Sequence, residues 1–290
     1  MPLPDPRAVP NIDLTGKVVL VTGATGGLGE AIVHACARAG ATVVLHGRVV
    51  RKLEALYDAI KRDGGAEPMI LPLDLLNVGA PEFHAASTAL QNQLGALDAL
   101  VHTAAFLGSL GPLEHQSFDR WLEVMRVNVV AAMGLTRAML PALARSRDAS
   151  VTFTLDTRGL APRAYWGAYG ASKAALHALA VTAADEWEQR GELRVNAIVP
   201  GAIRSPLRML THPGEDKSAM PTPANIVPLY LHVIAEQPKQ ESGVCIDAPA
   251  WLAGVPAISS LLPAQATRSP LSHAAADAPG PSGGSSPGRE

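Results

Sequence analysis

The sequence predicts an α/β protein with a doubly wound parallel β-sheet, folded as a single domain. Two observations lead to this fold class: short β-branched runs recur along the chain, and stretches of helical periodicity separate them. Most of the short runs are apolar throughout rather than alternating, which is typical of strands covered on both faces. Strands that alternate with helices imply crossover connections and hence a parallel sheet.

Seven strands and five helices are expected in alternation. The predicted strands are residues 17–22, 41–47, 68–74, 97–103, 150–155, 193–199 and 243–248. The predicted helices are residues 28–39, 49–62, 81–94, 117–144 and 167–189. We therefore expect the folded domain over residues 14–254, preceded by an N-terminal extension of residues 1–13.

The composition changes near the end of the chain. Of the 36 residues from 255 to 290, 24 are Pro, Gly, Ser or Ala. Such a segment has too little apolar area to offset the entropy lost on ordering. We expect residues 255–290 to form a disordered tail, which is either dispensable or a docking segment for a partner.

Charge and composition exclude several classes of protein. The 24 basic and 26 acidic residues leave a net charge of −2, which argues against a general nucleic-acid binder. Two cysteines, Cys36 and Cys245, cannot form a disulfide framework and indicate a reducing compartment. No apolar run reaches the roughly 18 residues of a membrane span, and the histidines lack metal-binding spacing. The expectation is a cytoplasmic protein without a metal or membrane partner.

A glycine-rich turn follows the first predicted strand directly. Residues 22–29 read TGATGGLG and lead into the first predicted helix. Glycines allow a tight turn and a close approach of the backbone to a diphosphate, and the helix N-terminus adds N–H groups and a positive dipole end. Between a strand and a helix, this turn indicates a dinucleotide cofactor rather than a plain loop.

The residues at the end of the second predicted strand indicate which dinucleotide is bound. An acid there would bind an NAD ribose, but the sequence reads Leu45-His46-Gly47-Arg48. Arg48 can form a charge-assisted fork with a 2′-phosphate, which favours NADP(H) over NAD(H), although it could also lie in solvent at a loop. Asp74 ends the third strand, where it could bind an adenine amino group or be an ordinary strand-end acid.

A tyrosine and a lysine lie four residues apart on the last predicted helix. Tyr169 and Lys173 therefore share one helix face. A neighbouring ammonium favours the phenolate, which would lower the pKa of Tyr169 towards that of a working acid/base.

Together, the TGATGGLG turn and the YGASK segment resemble the short-chain dehydrogenase/reductase family over residues 14–250. Within it, the stretches HGR, LDLL, WGAYGASK, LRVNAIVPGAIRS and NIVPLYLHV are similar to the YciK-like subgroup of bacterial oxidoreductases. The resemblance implies a Rossmann fold of the single-domain branch and an enzyme that interconverts a carbonyl and an alcohol with NADP(H). It also implies a homodimer or homotetramer formed through helices 117–144 and 167–189.

The resemblance assigns roles to individual residues. Tyr169 would protonate the carbonyl oxygen, Lys173 would hold the nicotinamide ribose, and Asn128 would keep a water in the proton relay. The backbone at Ile203 would dock the nicotinamide amide, with Ser205 beside it or beside the phosphate. The remaining implied cofactor contacts are Gly23, Thr25, Gly27, Leu28, Gly29, Leu75, Thr103, Ala104, Pro200 and Gly201.

One departure from the family pattern concerns the residue that usually activates the carbonyl. The family has a serine 13 residues before the tyrosine, whereas this chain has Asp156. An ionised carboxylate only accepts hydrogen bonds and would repel a developing oxyanion. Asp156 could act in its protonated form, or Thr157 or a shifted loop could supply the hydroxyl. Alternatively, Asp156 pairs with Arg158 or Arg163, and the chain is a sensor or scaffold that binds NADP(H) without catalysis.

A second departure follows the fourth strand. The family's Asn-Asn-Ala-Gly appears here as His102-Thr103-Ala104-Ala105, so Ala105 adds a methyl group beside the cofactor's path. His102 is a candidate acid/base, although a strand-end histidine is more often held by the backbone. Residues 205–223 are too rich in proline to be helical throughout, and this suggests a lid over the site.

Overall fold

The computed structural model has at its centre one β-sheet, in which eight strands are described. It describes residues 12–187, 193–235 and 242–261, together with residues 3 and 5. The strands are β1 (Val18–Thr22), β2 (Thr42–Gly47), β3 (Met69–Pro72), β4 (Ala99–His102), β5 (Ala149–Thr154), β6 (Leu193–Val199), β7 (Val244–Asp247) and β8 (Ile258–Ser260). They lie in the order β3-β2-β1-β4-β5-β6-β7-β8. Strands β1 to β7 pair in parallel, whereas β8 is antiparallel to β7.

Helices cover both faces of this sheet. They are α1 (Gly27–Arg38), α2 (Val50–Arg62), α3 (Ala80–Leu94), α4 (Phe118–Met125), α5 (Ala131–Leu143), α6 (Thr157–Leu160), α7 (Gly167–Trp187), α8 (Pro206–Thr211), α9 (Pro223–Ile234) and α10 (Ala248–Leu252). Helices α1, α2, α9 and α10 pack on one face, and α3, α5 and α7 pack on the other. A hydrophobic core lies on each face of the sheet. Alternate residues of β1 pack into the two cores, because side chains along a strand point to opposite faces. The predicted doubly wound fold is confirmed.

The predicted elements are present with small changes at their ends. All seven predicted strands occur, and the strands predicted at 68–74 and 97–103 are shorter, at Met69–Pro72 and Ala99–His102. Helix α7 begins at residue 167 as predicted, and residues 188–189 of that prediction lie outside the described residues.

The long helix predicted over residues 117–144 is interrupted in its middle. Between α4 and α5, residues Arg126–Val130 form a π-helical turn. Single π-helical turns within α-helices occur frequently at functional sites. This turn contains Asn128, so the interruption coincides with a residue of the predicted site.

The predicted boundary of the tail at residue 255 is wrong. Strand β8 lies beyond it and pairs with β7, and Leu261 is buried in the core. Three residues can be ordered by pairing with an existing sheet edge, although their composition provides no core of their own. Residues 262–290 of the predicted tail lie outside the described residues.

Four helices have no counterpart among the predicted elements: α6, α8, α9 and α10. Helices α8, α9 and α10 each have proline within the first two helical positions, where its missing N–H removes no helical bond. Helix α9 is buried from Ile226 to Ile234 and therefore has no polar face to reveal its period. Among the described residues, no helix is long and apolar enough to cross a membrane.

Candidate active site

The predicted site residues gather at the edge of the sheet where the parallel strands end. Strands β1, β2, β4 and β5 end there at Thr22, Gly47, His102 and Thr154. Strand β1 lies between β2 and β4, so the order of strands reverses at this point. A crevice opens at such a reversal in doubly wound sheets, and it is the usual position of a bound ligand.

The glycine turn is packed too tightly for any side chain at two positions. Gly23 has a φ of +68°, and a Cβ on it would lie 3.0 Å from the Cα of Ala104. A Cβ on Gly29 would lie 2.2 Å from the carbonyl oxygen of Gly23. Gly26, the N-cap of α1, offers no side chain to the N–H groups of the first turn, which includes Gly27 and Leu28. An uncapped helix N-terminus of this kind suits an anionic group such as a diphosphate.

Thr22 joins the glycine turn to the loop after β4. Its Oγ1 accepts hydrogen bonds from the backbone N–H groups of Thr103 at 3.1 Å and Ala104 at 3.2 Å. The Thr103 hydroxyl in turn donates to the Thr22 carbonyl. Thr103 and Ala104 are thereby held against the turn, and the methyl group of Ala105 lies in an exposed position next to them. Sequence reasoning missed Thr22, whose only signal was its position at the end of β1.

Arg48 is the residue predicted to contact the 2′-phosphate of NADP(H). It is exposed directly after β2, and a Cβ on the preceding Gly47 would lie 3.7 Å from Thr25 Oγ1. Within the described chain, the Arg48 guanidinium forms no hydrogen bond or ion pair. Arg48 is therefore exposed at the end of β2, and the neighbouring Gly47 lies close to the partly exposed Thr25.

The carboxylate of Asp74 forms hydrogen bonds within the turn that follows β3. It accepts hydrogen bonds from the Leu76 N–H at 3.3 Å and from Asn77 Nδ2 at 2.6 Å, while Leu75 is buried. The side chain thus shapes the loop after β3, as an ordinary strand-end acid does. A contact between Asp74 and an adenine stays a prediction.

The segment after β6 extends over the glycine turn. Gly201 has a φ of +69°, and a Cβ on it would lie 2.2 Å from Pro249 Cγ, so the Pro200-Gly201 turn requires glycine. Ile203 is buried, and Ser205 caps α8 by accepting a hydrogen bond from the Arg208 N–H. A Cβ on Gly27 would lie 3.8 Å from Ser205 Cβ and 3.0 Å from Pro206 Cδ. Ser205 is therefore next to the turn expected to hold the phosphates.

At its far end, α8 approaches the predicted catalytic helix. The ring of His212 lies 6.0 Å from the ring of Trp166, which lies 5.8 Å from the ring of Tyr169. An ion pair between Arg208 and Glu215 at 2.6 Å holds the segment that follows α8. Helix α8 thus runs from the glycine turn to the neighbourhood of Trp166, which packs beside Tyr169. A lid over residues 205–223 stays a prediction.

Tyr169 and Asp156 form a direct hydrogen bond. The Tyr169 hydroxyl donates to Asp156 Oδ2 at 3.0 Å. Asp156 ends the loop after β5, and Tyr169 lies in the first turn of α7, with only 2% of its surface exposed. The family's serine position is therefore next to the tyrosine in this chain also, but it presents a carboxylate.

Lys173 lies one turn below Tyr169 and does not reach its hydroxyl. Its Nζ donates to the Thr154 carbonyl at 2.9 Å and is 5.9 Å from the centre of the Tyr169 ring. Burial lowers the pKa of Lys173 to about 8. Burial also raises the pKa of Tyr169 well above 10, and the charge of Asp156 and its hydrogen bond raise it further. The expectation that Lys173 brings the pKa of Tyr169 down is therefore not met.

Asn128 bridges two parts of the site through its side-chain amide. Its Nδ2 donates to the Phe106 carbonyl and to Ser172 Oγ, both at 2.9 Å, and its Oδ1 accepts from the Phe106 N–H at 2.7 Å. The amide thus joins the loop after β4 to α7. Its predicted role in a proton relay stays a prediction, because all three contacts are structural.

The alternatives considered for Asp156 differ in their geometry. Thr157 is exposed, and its hydroxyl lies 3.4 Å from Asp156 Oδ1, the oxygen that does not contact Tyr169. The Arg158 guanidinium stacks 4.9 Å from the centre of the Trp166 ring. Within the described residues, neither Arg158 nor Arg163 forms an ion pair with Asp156. Asp156 is therefore the group placed beside the tyrosine.

Two buried histidines flank the glycine turn. His102 Nε2 lies 2.8 Å from Thr136 Oγ1, its ring stacks on Phe153, and burial lowers its pKa to about 3. With so low a pKa this imidazole is a weak base, and its ring is already engaged by Thr136 and Phe153, which does not suit the acid/base role considered for His102. His46, which the sequence did not single out, accepts a hydrogen bond at Nδ1 from the Gly23 N–H at 3.3 Å.

The fold and this site define a dinucleotide-binding oxidoreductase of a known class. A model of the family described as short chain dehydrogenase matches residues 17–216. The chain therefore belongs to the short-chain dehydrogenase/reductase family. Within that family it belongs to the YciK-like subgroup, since it is 38% identical over 235 residues to the Escherichia coli K12 protein described as "Uncharacterized oxidoreductase YciK". That match covers 81% of this chain and 92% of the relative.

Solved structures agree with this assignment. A Shigella flexneri 2a protein solved in complex with NADP has a TM-score of 0.80 at 37% identity, covering 83% of this chain and all of that one. An Escherichia coli CFT073 protein solved with NADPH has a TM-score of 0.79 at 37% identity, covering 82% of this chain and 99% of the other.

Proposed function

We propose that this protein is an NADP(H)-dependent oxidoreductase that interconverts a ketone or aldehyde and an alcohol. The observation that carries the proposal is the position of Tyr169, hydrogen-bonded to Asp156 at 3.0 Å, at the same sheet edge as the glycine turn. A hydroxyl that can exchange a proton therefore lies beside the crevice in which a dinucleotide would bind. Small carbonyl compounds are the partners that this arrangement suits.

The residues present fit NADP(H). The uncapped first turn of α1 suits the diphosphate, and the lack of an acid after β2 leaves Arg48 and Thr25 to bind the 2′-phosphate. The relatives solved with NADP and NADPH support the same cofactor, preferred over NAD(H). Ser205, beside Gly27, would close the phosphate site from above.

The bound cofactor would supply a hydride to the carbonyl carbon or accept one from the alcohol. Tyr169 would hydrogen-bond the substrate oxygen and exchange a proton with it. Lys173 donates to the Thr154 carbonyl, and in this proposal it would hold the nicotinamide ribose. Trp166 and α8 would cover the site and exclude water during the reaction.

The rival function is a protein that binds NADP(H) without catalysis. One observation favours it: the Tyr169 hydroxyl donates its hydrogen bond to Asp156, so a substrate must compete for it. The three groups Tyr169, Lys173 and Asn128 are nevertheless all present at the site. We favour the enzyme for that reason.

A homo-oligomer is part of the proposal. The side chains of Phe118 and Leu122 on α4 are 75% and 54% exposed, and Val130 and Met133 continue the same stretch at 52% and 43%. Exposed apolar residues at this helical spacing indicate a protein interface. Helix α7 also carries apolar residues on all sides, as expected of a helix covered twice.

The test is NADPH oxidation measured over a panel of ketones and aldehydes. Wild-type turnover that falls by about 10²-fold or more in Tyr169→Phe supports the proposed enzyme. NADPH binding by fluorescence without any turnover on the panel favours the rival function. Absence of NADPH binding would contradict both functions.

A further inference from the structure

The carboxylate of Asp156 is held in one orientation. Its Oδ1 accepts hydrogen bonds from the Arg158 N–H at 2.8 Å and, more weakly, from the Thr157 hydroxyl at 3.4 Å. Its Oδ2 is directed to the Tyr169 hydroxyl at 3.0 Å. One oxygen is therefore fixed by the start of α6, while the other is reserved for the tyrosine.

The surroundings of Tyr169 do not support a phenolate. Lys173 Nζ is 5.9 Å from the centre of the tyrosine ring and is bonded to the Thr154 carbonyl. The charged group in hydrogen-bond contact with the hydroxyl is thus Asp156, an anion. Burial and this anion together raise the pKa of Tyr169 well above 10. A tyrosine in this setting can pass a proton on, but it is a poor place to leave the negative charge.

We propose that the Asp156 carboxylate is the terminal base of the reaction and that Tyr169 relays the proton between it and the substrate oxygen. The inference rests on the proposed oxidoreductase function. It assigns Asp156 a role different from that of the family's serine, which donates a hydrogen bond and does not change its charge.

The proton and electron changes balance in both directions. In alcohol oxidation, the substrate O–H bond breaks and its proton passes to the Tyr169 oxygen, while the Tyr169 proton passes to Asp156 Oδ2. The substrate carbon loses a hydride to the oxidised cofactor, and the C=O bond forms. In carbonyl reduction, protonated Asp156 returns its proton through Tyr169 to the oxygen as the carbon receives the hydride.

The exit of the proton to solvent also favours Asp156. Asp156 is half-buried beside the exposed Thr157, so a proton on its carboxyl group can reach water directly. Asn128, in contrast, is buried, and its amide is engaged by Phe106 and Ser172. Asp156 therefore offers Tyr169 a partly exposed neighbour for the proton, and Asn128 does not.

The first arm of the test needs neither cofactor nor substrate. Ionisation of Tyr169 is followed by ultraviolet absorbance, with Tyr169→Phe subtracted to remove the other tyrosines. We expect the ionisation to occur about one to three pH units lower in Asp156→Asn and Asp156→Ser than in the wild type. Asp185→Asn serves as the control, because it removes an exposed acid from α7, the helix that carries Tyr169. An unchanged ionisation in both Asp156 variants would overturn the proposal.

The second arm uses a substrate that the wild type oxidises with NADP⁺. The wild-type rate should not depend on ionisation of Tyr169, since Asp156 takes the proton. In Asp156→Asn, kcat should fall by about 10²–10⁴-fold, since the amide keeps the shape but cannot take the proton. In Asp156→Ser, the remaining rate should rise steeply with alkaline pH, because a phenolate must then act as the base. Equal rates and equal pH profiles in wild type and Asp156→Asn would overturn the proposal.

The two arms separate this proposal from the proposed function. A shifted Tyr169 ionisation without turnover on any substrate supports the proton-sharing pair and counts against the oxidoreductase function. Turnover that is insensitive to Asp156→Asn supports the oxidoreductase and removes Asp156 from the proton transfer.

Discussion

Gly29 is in such close contact with Gly23 that a single methyl group cannot be placed between them. A Cβ on Gly29 would lie 2.2 Å from the Gly23 carbonyl oxygen and 3.0 Å from the Thr103 hydroxyl oxygen. The first contact is with backbone, which cannot rotate away as a side chain can. The glycine at this position therefore allows α1 to begin directly beside the turn after β1.

Replacement of Gly29 with alanine should damage both stability and cofactor binding. Overpacking of this kind costs about 1–3 kcal/mol in the free energy of unfolding, which urea denaturation measures. NADPH affinity should fall as well, because relief of the clash moves the start of α1. Gly214→Ala is the matched control, since a Cβ on Gly214 meets nothing within 4 Å. Equal stability and affinity in both variants would show that the turn can relax.

The same turn shows how far sequence reasoning reached. The order TGATGGLG between an apolar run and a helical stretch was sufficient to predict its position, because backbone requirements of glycine are local. The hydrogen bond between Tyr169 and Asp156 could not be predicted from local sequence, although the sequence identified both residues as candidate site residues. It depends on how the loop after β5 meets the first turn of α7, and a spacing of 13 residues does not fix that distance.

Two other features lay beyond the sequence for different reasons. Strand β8 is ordered by pairing with β7, so its own composition, rich in small and polar residues, gave the wrong boundary for the tail. The π-helical turn at Asn128 left no mark in the sequence, because buried positions continue through it at spacings of three and four residues, as in an unbroken helix.

Arg48 should determine the choice of cofactor. In Arg48→Ala, the affinity for NADPH should fall by about 10- to 100-fold, the size expected for a charge-assisted hydrogen bond, while NADH affinity stays constant. Fluorescence titration with both nucleotides measures the ratio. Arg62→Ala removes an exposed cation from the far end of α2, the helix that follows Arg48, and should leave the ratio unchanged. Equal losses for NADPH and NADH in Arg48→Ala would contradict the assigned 2′-phosphate contact.

The two histidines beside the glycine turn should make the fold sensitive to acid. Burial lowers the pKa of His46 to about 4 and that of His102 to about 3, against 6.5 for an unfolded histidine. Between pH 6.5 and 4, the unfolded state therefore binds up to two more protons than the folded state. The free energy of unfolding should fall with decreasing pH in this range, by as much as about 3 kcal/mol per pH unit from this pair.

Denaturation at a series of pH values, compared between wild type and His102→Gln, isolates this effect from that of the carboxylates. The variant should lose about half of the contribution, since one of the two buried imidazoles is gone. The exposed His84→Gln is the control and should follow the wild type. Parallel curves for wild type and His102→Gln would mean that His102 is protonated without unfolding.

The apolar surface of α4 and α5 should hold the protein in an oligomer. Phe118→Glu together with Leu122→Lys places charges where two largely exposed apolar side chains now lie. We expect light scattering to show a dimer or tetramer for the wild type and a smaller species for the double variant. Met209→Lys alters another exposed apolar residue, on α8, and should leave the mass unchanged. A monomeric wild type would contradict the proposed oligomer.

Arg194 and Asp148 should be the most important ion pair for stability in the described part of the chain. Arg194 Nε and Nη2 donate to the two carboxylate oxygens at 2.7 and 2.9 Å, and Nη1 donates to the Val233 carbonyl at 2.8 Å. The Arg194 side chain is only 6% exposed. Asp148→Ala removes both of these carboxylate contacts from a buried cation, which should cost about 3–5 kcal/mol in urea unfolding. Arg120→Ala breaks the solvent-exposed pair with Glu123 and should cost at most about 1 kcal/mol. Similar costs in the two variants would mean that water reaches Arg194 and replaces the carboxylate.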